Sequence, residues 1–200
     1  MTKILGIAGS PRRNGNTQLL LDEALKGARK AGARTEKIVL NDLNISPCRE
    51  CGACSMTGMC AIGDEMQTVY KKLKNMDGII IASPIFFMNM SAQTKTMIDR
   101  CQSIWASKYL LKKPIAKKKR KGIFIAVGAT NFPDMFRAAK KTVQVLFDVI
   151  DVDYSDELLI SGIDEKGAIE AHPTAMRDAF EAGGRLVRKI TESQRDKLER

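Results

Sequence analysis

The chain has one histidine, His172, among its 200 residues, and one tryptophan. A single imidazole excludes a histidine-built metal centre and leaves no acid–base pair to be found from residue types. No apolar run approaches the roughly 20 residues of a membrane-spanning helix. There is no internal repeat, low-complexity segment or linker. Cys101 is the only cysteine outside one short stretch, so no disulfide framework of a secreted domain is present. A strand-like run begins at Lys3, so no signal peptide is expected there. A reducing, cytoplasmic compartment is therefore expected.

What remains is an ordinary globular composition, 44% hydrophobic and 28% charged, long enough for one domain with a sizeable core. Residues 1–200 are read as that domain, with a cysteine-rich insert at about 45–62. The net charge of +10 favours anionic partners: nucleotides, phosphorylated cofactors, acidic proteins or nucleic acid.

The insert carries the pattern Cys-x2-Cys-x2-Cys-x5-Cys at Cys48, Cys51, Cys54 and Cys60. Three thiolates at three-residue spacing, with Gly52 among them, can turn toward one point. Zinc sites usually split into two separated pairs, whereas the x2, x2 run is that of ferredoxins. The spacing favours a four-iron, four-sulfur cluster, with Cys60 closing it. Zinc, free thiols and a reversible disulfide are the alternatives.

Strands are expected at Lys3–Ala8, Thr35–Leu40, Ile79–Ala82, Lys121–Val127 and Val152–Ser161. Helices are expected at about Asn16–Ala31, from Asp64, at Ser91–Trp105, Pro133–Val149 and Pro173–Ser193. Leu19, Leu20, Ala24, Leu25 and Ala28 share one face of the first helix. This alternation implies a parallel sheet covered on both faces.

Gly9-Ser10-Pro11-Arg12-Arg13-Asn14-Gly15-Asn16-Thr17 joins the first strand to the first helix, where anionic ligands bind in open α/β sheets. Its glycines allow close backbone approach. Ser10, Asn16 and Thr17 offer side-chain hydrogen bonds, Arg12 or Arg13 offers charge, and the helix offers unpaired N–H groups. The loop is neither a P-loop nor Gly-x-Gly-x-x-Gly, and suits a terminal phosphate monoester. A simple helix cap would need only one of its five polar or basic residues.

These residues resemble the FMN-phosphate loop of flavodoxin-like NAD(P)H-dependent FMN reductases. Ser83-Pro84-Ile85-Phe86-Phe87, Ser91-Ala92-Gln93 and Ile98-Asp99-Arg100 resemble the second flavin loop and following helix. With the cysteine motif, residues 3 to 105 resemble the iron–sulfur flavoproteins of anaerobic archaea and bacteria. The resemblance implies a flavodoxin-like three-layer α/β sandwich with five parallel strands in the order 2-1-3-4-5, and FMN beside strands 1 and 3. It implies that Ser10, Arg12, Asn16, Thr17 and Gln18 serve the phosphate side. Pro84, Ile85, Phe86 and Phe87 would line the ring and ribityl chain, and the turn at Gly128-Ala129 would close the other side. It further implies a homodimer or homotetramer with the cluster loop near a neighbouring subunit's flavin. Two positions depart from the family, Phe86 for Tyr and Met88 for Gly.

FMN with a 4Fe-4S cluster implies an electron-transfer flavoprotein, taking electrons from an acidic ferredoxin-like donor to a small acceptor such as oxygen or peroxide. A second reading keeps FMN but not the cluster, as an NAD(P)H-dependent FMN or quinone reductase. A third is a nucleic-acid-binding module built on the basic run Lys112–Lys121. That run lacks interleaved aromatics and reads better as a solvated loop. His172 is expected to start the last helix, Cys101 to be a buried apolar residue, and Trp105 and Tyr109 to lie on a subunit contact. Met56, Met59, Met88 and Met90 would pack an interface. Thr191–Arg200 should fray.

Overall fold

The computed structural model of the chain describes residues 1–116 and 120–195. Five strands pair in parallel: β1 (Lys3–Ala8), β2 (Arg34–Val39), β3 (Gly78–Phe86), β5 (Arg120–Val127) and β6 (Val152–Ile160). Their order is β2-β1-β3-β5-β6, and a two-residue strand β4 (Asn89–Met90) pairs antiparallel with the end of β3. Apart from that short hairpin, this is the expected 2-1-3-4-5 order of a flavodoxin-like fold.

Alternation along the strands divides the core in two, because successive side chains point to opposite faces. Ile4, Ile80, Ile123 and Ile125 pack with helices α1 (Asn16–Lys30) and α7 (Ala175–Arg195). Leu5, Ile7, Ile79, Ile81 and Phe124 pack on the other face with α3 (Met66–Asn75), α4 (Ala92–Arg100) and α6 (Arg137–Val149). Both faces of β3 are therefore dry, which is why its apolar run is continuous rather than alternating.

Several boundaries differ from expectation. Leu21 is buried on α1 while Leu19 is half-buried. The helix expected at Ser91–Trp105 breaks at Cys101 into α4 and a short α5 (Gln102–Trp105), followed by a wide turn at Ala106–Leu110. A five-residue helix α2 (Ala53–Thr57) stands inside the cysteine loop. The last helix continues to Arg195 rather than fraying from Thr191, and residues 196–200 lie outside the described residues.

The basic run also needs correcting. Residues 117–119 lie outside the described residues, but Arg120 is not solvated. Its buried guanidinium donates to the carbonyls of Leu73, Ile150 and Met76, the last at 3.2 Å. It thus neutralises the carbonyl ends of α3 and α6, where a cation is favoured. His172 does start the last helix: its Nδ1 accepts from the N–H groups of Thr174 and Ala175 at 3.3 and 3.1 Å. Among the described residues, no helix is long and apolar enough to cross a membrane.

Candidate functional site

Helix α1 starts without a side-chain cap. Gly15 holds the cap position, and no acidic residue stands in the first turn. Its first N–H groups therefore keep their positive partial charge for an outside anion. Gly15 also keeps the approach open, because a Cβ there would lie 3.1 Å from the Arg12 carbonyl and 3.4 Å from Ser10 Oγ. The loop is braced from within. Ser10 Oγ accepts from Arg12 N at 3.1 Å, and Gln18 exchanges hydrogen bonds with Asn14, accepting from its N–H at 3.1 Å and donating to Oδ1 at 3.4 Å. Asn14, with φ of 54°, turns the chain here.

Ser10, Arg12, Asn16 and Thr17 line a cavity of about 150 Å3, with Pro84, Ile85 and Phe86. Seven of the ten residues expected at the flavin thus meet in one place. Gln18 does not line it, since its amide is committed to Asn14. Phe87 is fully exposed at the rim. Gly128 lies behind the wall, bonded through its N–H to Ile160 and through its carbonyl to Ile163 N, while Ala129 and Val127 face inward.

Ile163, Asp164 and Lys166 complete the lining. Residues 163–166 follow β6, and nothing local in their sequence marks them as part of a site. Asn16 connects them: its Nδ2 donates to the Glu165 carbonyl at 2.8 Å, and its Oδ1 accepts from Gly167 N at 2.8 Å. Asn16 is therefore a tie between the two loops, and its backbone N–H is the part left for an anion. Lys166 and Arg12 outweigh Asp164, so the lining carries net positive charge.

The second loop is fixed to the first. Ser91 Oγ donates to the Gly9 carbonyl, while Ser91 N donates to Ser83 Oγ at 3.0 Å. Ser91 also caps α4 by accepting from Thr94 N at 3.2 Å. A Cβ on Gly9 would lie 1.9 Å from Thr94 Oγ1, so only glycine fits that crossing. The β3–β4 hairpin turns through Phe87 and Met88, whose φ values are 48° and 63°. Two positive φ angles suit Asn-Gly, not two large apolar residues. Replacing Met88 by Gly should raise stability by about 1 kcal/mol, the usual cost of a left-handed non-glycine residue. Urea unfolding of the two proteins checks this, and an unchanged midpoint would count against strain in the turn.

The cysteine loop is shaped by Gly52 and Gly58, with φ of 74° and 73°, on either side of α2. Cys48, Cys51, Cys54 and Cys60 are all free thiols and line one cavity of about 290 Å3. Burial pushes the Cys54 thiol up, and the other three cysteines, Cys60 foremost, add to the rise. Soft donors that repel one another as thiolates fit a cationic iron group, which would relieve that repulsion. Among the described residues, however, no three His, Cys, Asp or Glu side chains gather closely enough for a single metal ion. The match to a cluster rests on donor chemistry and a shared cavity. A four-iron cluster holds its thiolates farther apart than a lone zinc ion would.

Behind the loop lies a buried ion pair. Arg100 has no exposed side-chain surface and meets Asp64 through both terminal nitrogens, at 2.6 and 3.0 Å. Arg100 holds the Asp64 carboxyl below the usual carboxylate range. A depressed folded pKa contributes stability that is present above the unfolded value, about 3.9, and is lost as pH falls through the folded one. Asp64→Asn should therefore flatten the acid limb of a stability–pH profile. An unchanged acid limb in urea melts would show that the pair does not set it.

The remaining cysteine, Cys101, is buried and its thiol is pushed up to about 12 by burial, as suits a packing residue. Met90 is buried in the core rather than at an interface, whereas Met56 and Met59 are exposed.

Residues 2–161 match the family model described as NADPH-dependent FMN reductase. An iron-sulfur flavoprotein of Methanosarcina thermophila is 34% identical over 146 residues, 73% of this chain and 71% of that protein. An iron-sulfur flavoprotein of Methanocaldococcus jannaschii is 44% identical over 102 residues, about half of each chain (51% and 53%). Among solved structures, a flavone reductase superposes with a TM-score of 0.71 at 22% identity, over 96% of this chain and 64% of that one. That likeness bears on the fold alone.

Proposed function

Since this chain belongs to the iron–sulfur flavoprotein family within the NADPH-dependent FMN reductases, and is thus a flavin-dependent oxidoreductase, we propose that it holds FMN and a 4Fe-4S cluster and passes electrons from a ferredoxin-like donor to a small acceptor. The observation that carries the proposal is the pairing of two sites on one helix. Ser91, the N-cap of α4, is bonded to the phosphate loop at Gly9, and the helix's last residue, Arg100, lines the cysteine cavity. Nine residues of α-helix span roughly 14 Å.

FMN supplies electron exchange in ones or twos, and the cluster supplies it singly. The chain supplies the rest. The N–H groups at the start of α1, with Ser10, Thr17, Arg12 and Lys166, bind the phosphate end. The cavity of about 150 Å3 is smaller than the roughly 300–1,000 Å3 of an enclosed ligand site. It therefore suits the phosphorylated tail, leaving the ring toward the open rim at Phe86 and Phe87. Cys48, Cys51, Cys54 and Cys60 hold the iron. The net charge of +10 suits an acidic donor. Trp105 and the exposed Val145 border an apolar groove of about 380 Å3 between α4 and α6, which supports a homodimer or homotetramer.

The match of residues 2–161 to the NADPH-dependent FMN reductase model favours a second reading, a cluster-free NAD(P)H-dependent FMN or quinone reductase. Purification without oxygen, followed by iron, acid-labile sulfide and flavin analysis per chain, separates the two. About four irons, four sulfides and one FMN support the cluster flavoprotein. Flavin alone, bleached by NAD(P)H, supports the reductase.

A further inference from the structure

We infer that Arg100 is a positioning residue for the cysteine site: its guanidinium clamps the two ends of the cysteine loop together and offers its remaining N–H to the sulfur of Cys60. This rests on the cluster reading of that site. The clamp is visible in the hydrogen bonds. Nη1 donates to the Ser46 carbonyl at 2.8 Å, two residues before Cys48, and Nη2 donates to the Ile62 carbonyl at 3.3 Å, two residues after Cys60. Asp64 reinforces the same closure by accepting from Ser46 N at 2.9 Å as well as from both arginine nitrogens.

A guanidinium has five N–H donors, two on each terminal nitrogen and one on Nε. Ser46, Ile62 and the two Asp64 oxygens take the four terminal ones. Nε is fully buried and has no partner among the described residues. A buried donor left unmet costs about 1–3 kcal/mol, so a purely structural arginine would be expected to satisfy it. Arg100 lines the cysteine cavity, and so does Cys60, two residues before the Ile62 carbonyl that the guanidinium already holds. A thiolate sulfur bound to iron is the acceptor this N–H lacks. Hydrogen bonds to cluster sulfurs favour the more negative, reduced cluster and so raise its potential.

The test compares the full chain with Arg100→Lys and Arg100→Gln, all purified without oxygen, for flavin, iron, sulfide and cluster potential. Lysine keeps the charge but places its donors at one point and cannot span Ser46 and Ile62. Both variants should retain flavin. Arg100→Lys should shift the one-electron equilibrium about tenfold toward the oxidised cluster, ~59 mV more negative. Arg100→Gln should lose iron to a chelator about tenfold faster. Unchanged potential and unchanged iron loss would overturn the inference while leaving the cluster reading intact. An unsubstituted protein without iron and sulfide would overturn the cluster reading itself, and this inference with it. Should either variant fail to fold, the retained arginine is probed directly. Protein carrying 15N-arginine in an Arg49→Lys background, with its cluster reduced, should show 15N coupling by pulsed electron paramagnetic resonance. No coupling would overturn the hydrogen bond.

Discussion

Replacing Cys54 by Ala is expected to yield a yellow, iron-free protein that is otherwise folded. Cys54 is the cysteine on which the other three thiols act, and it sits at the start of α2, a helix with no buried residue. Losing it therefore opens the ligand set without touching either core. Outer-shell partners of a metal site typically cost 10–100-fold in affinity, so loss of a direct ligand should exceed about 100-fold and leave essentially no iron. Measured against the iron-free unsubstituted chain, stability should change by no more than ~0.5 kcal/mol, as for a surface substitution; against the iron-loaded protein the variant also loses whatever the bound cluster contributes. None of the residues lining the flavin cavity belongs to the loop, so flavin per chain should be unchanged. Cys101→Ala is the opposite case. It should keep the iron and lose about 1 kcal/mol through a small cavity in the core. Iron retained in Cys54→Ala, or flavin lost together with iron, would sink this division of the two sites.

The second large effect is expected far from both cavities. Helices α1 and α7 cross where glycines allow their backbones to touch. A Cβ on Gly183 would lie 1.8 Å from the Ala24 carbonyl, and one on Gly27 would lie 1.8 Å from the Phe180 carbonyl. Neither obstacle is a flexible side chain, so the helices themselves must part. Gly183→Ala should cost about 3 kcal/mol, the upper end of overpacking penalties. For a chain of this size that is a fall of about 6–12 °C in Tm. The phosphate end of α1 should move with it, so flavin should be held less tightly. Its neighbour gives the opposite sign. A Cβ on Gly184 would meet only Arg188 Nη1 at 3.4 Å and the Gly27 carbonyl at 3.8 Å. Gly184→Ala should then gain about 1 kcal/mol from helix propensity. Paired thermal melts of the two variants decide it, and equal shifts would show that the crossing is looser than the spacing implies.

How much of this was legible in the sequence depended on how local each signal was. The continuous run Ile79–Ala82 identified a central strand because a strand covered on both faces has no polar side to alternate. The phosphate loop was legible because Gly9, Gly15 and the hydroxyl and amide side chains lie within nine residues. The cysteine spacing pointed to one candidate site for the same reason, and the fold does bring the four cysteines to one cavity. The 163–166 lining was not legible, since its connection to Asn16 spans about 150 positions and leaves no local pattern. Arg120 looked like one more lysine-run cation, and only the fold brings it beneath the carbonyl ends of two helices. In the sequence Arg100 belongs to the helix after the flavin loop, with no sign of a second role. Its bonds to Ser46 and Ile62 depend on how a distant loop returns.

The order in which the two cavities draw on the chain has a consequence for biosynthesis. Every residue lining the cysteine cavity has been made by Ser103. The flavin cavity needs residues up to Lys166, and α1 packs against α7, which ends at Arg195. A chain emerging from the ribosome at about 5–20 residues per second therefore exposes four thiols for several seconds before a flavin has anywhere to bind. In that interval the four thiols stand without the rest of the fold around them, whereas flavin can load only after Lys166 and α7 have been made.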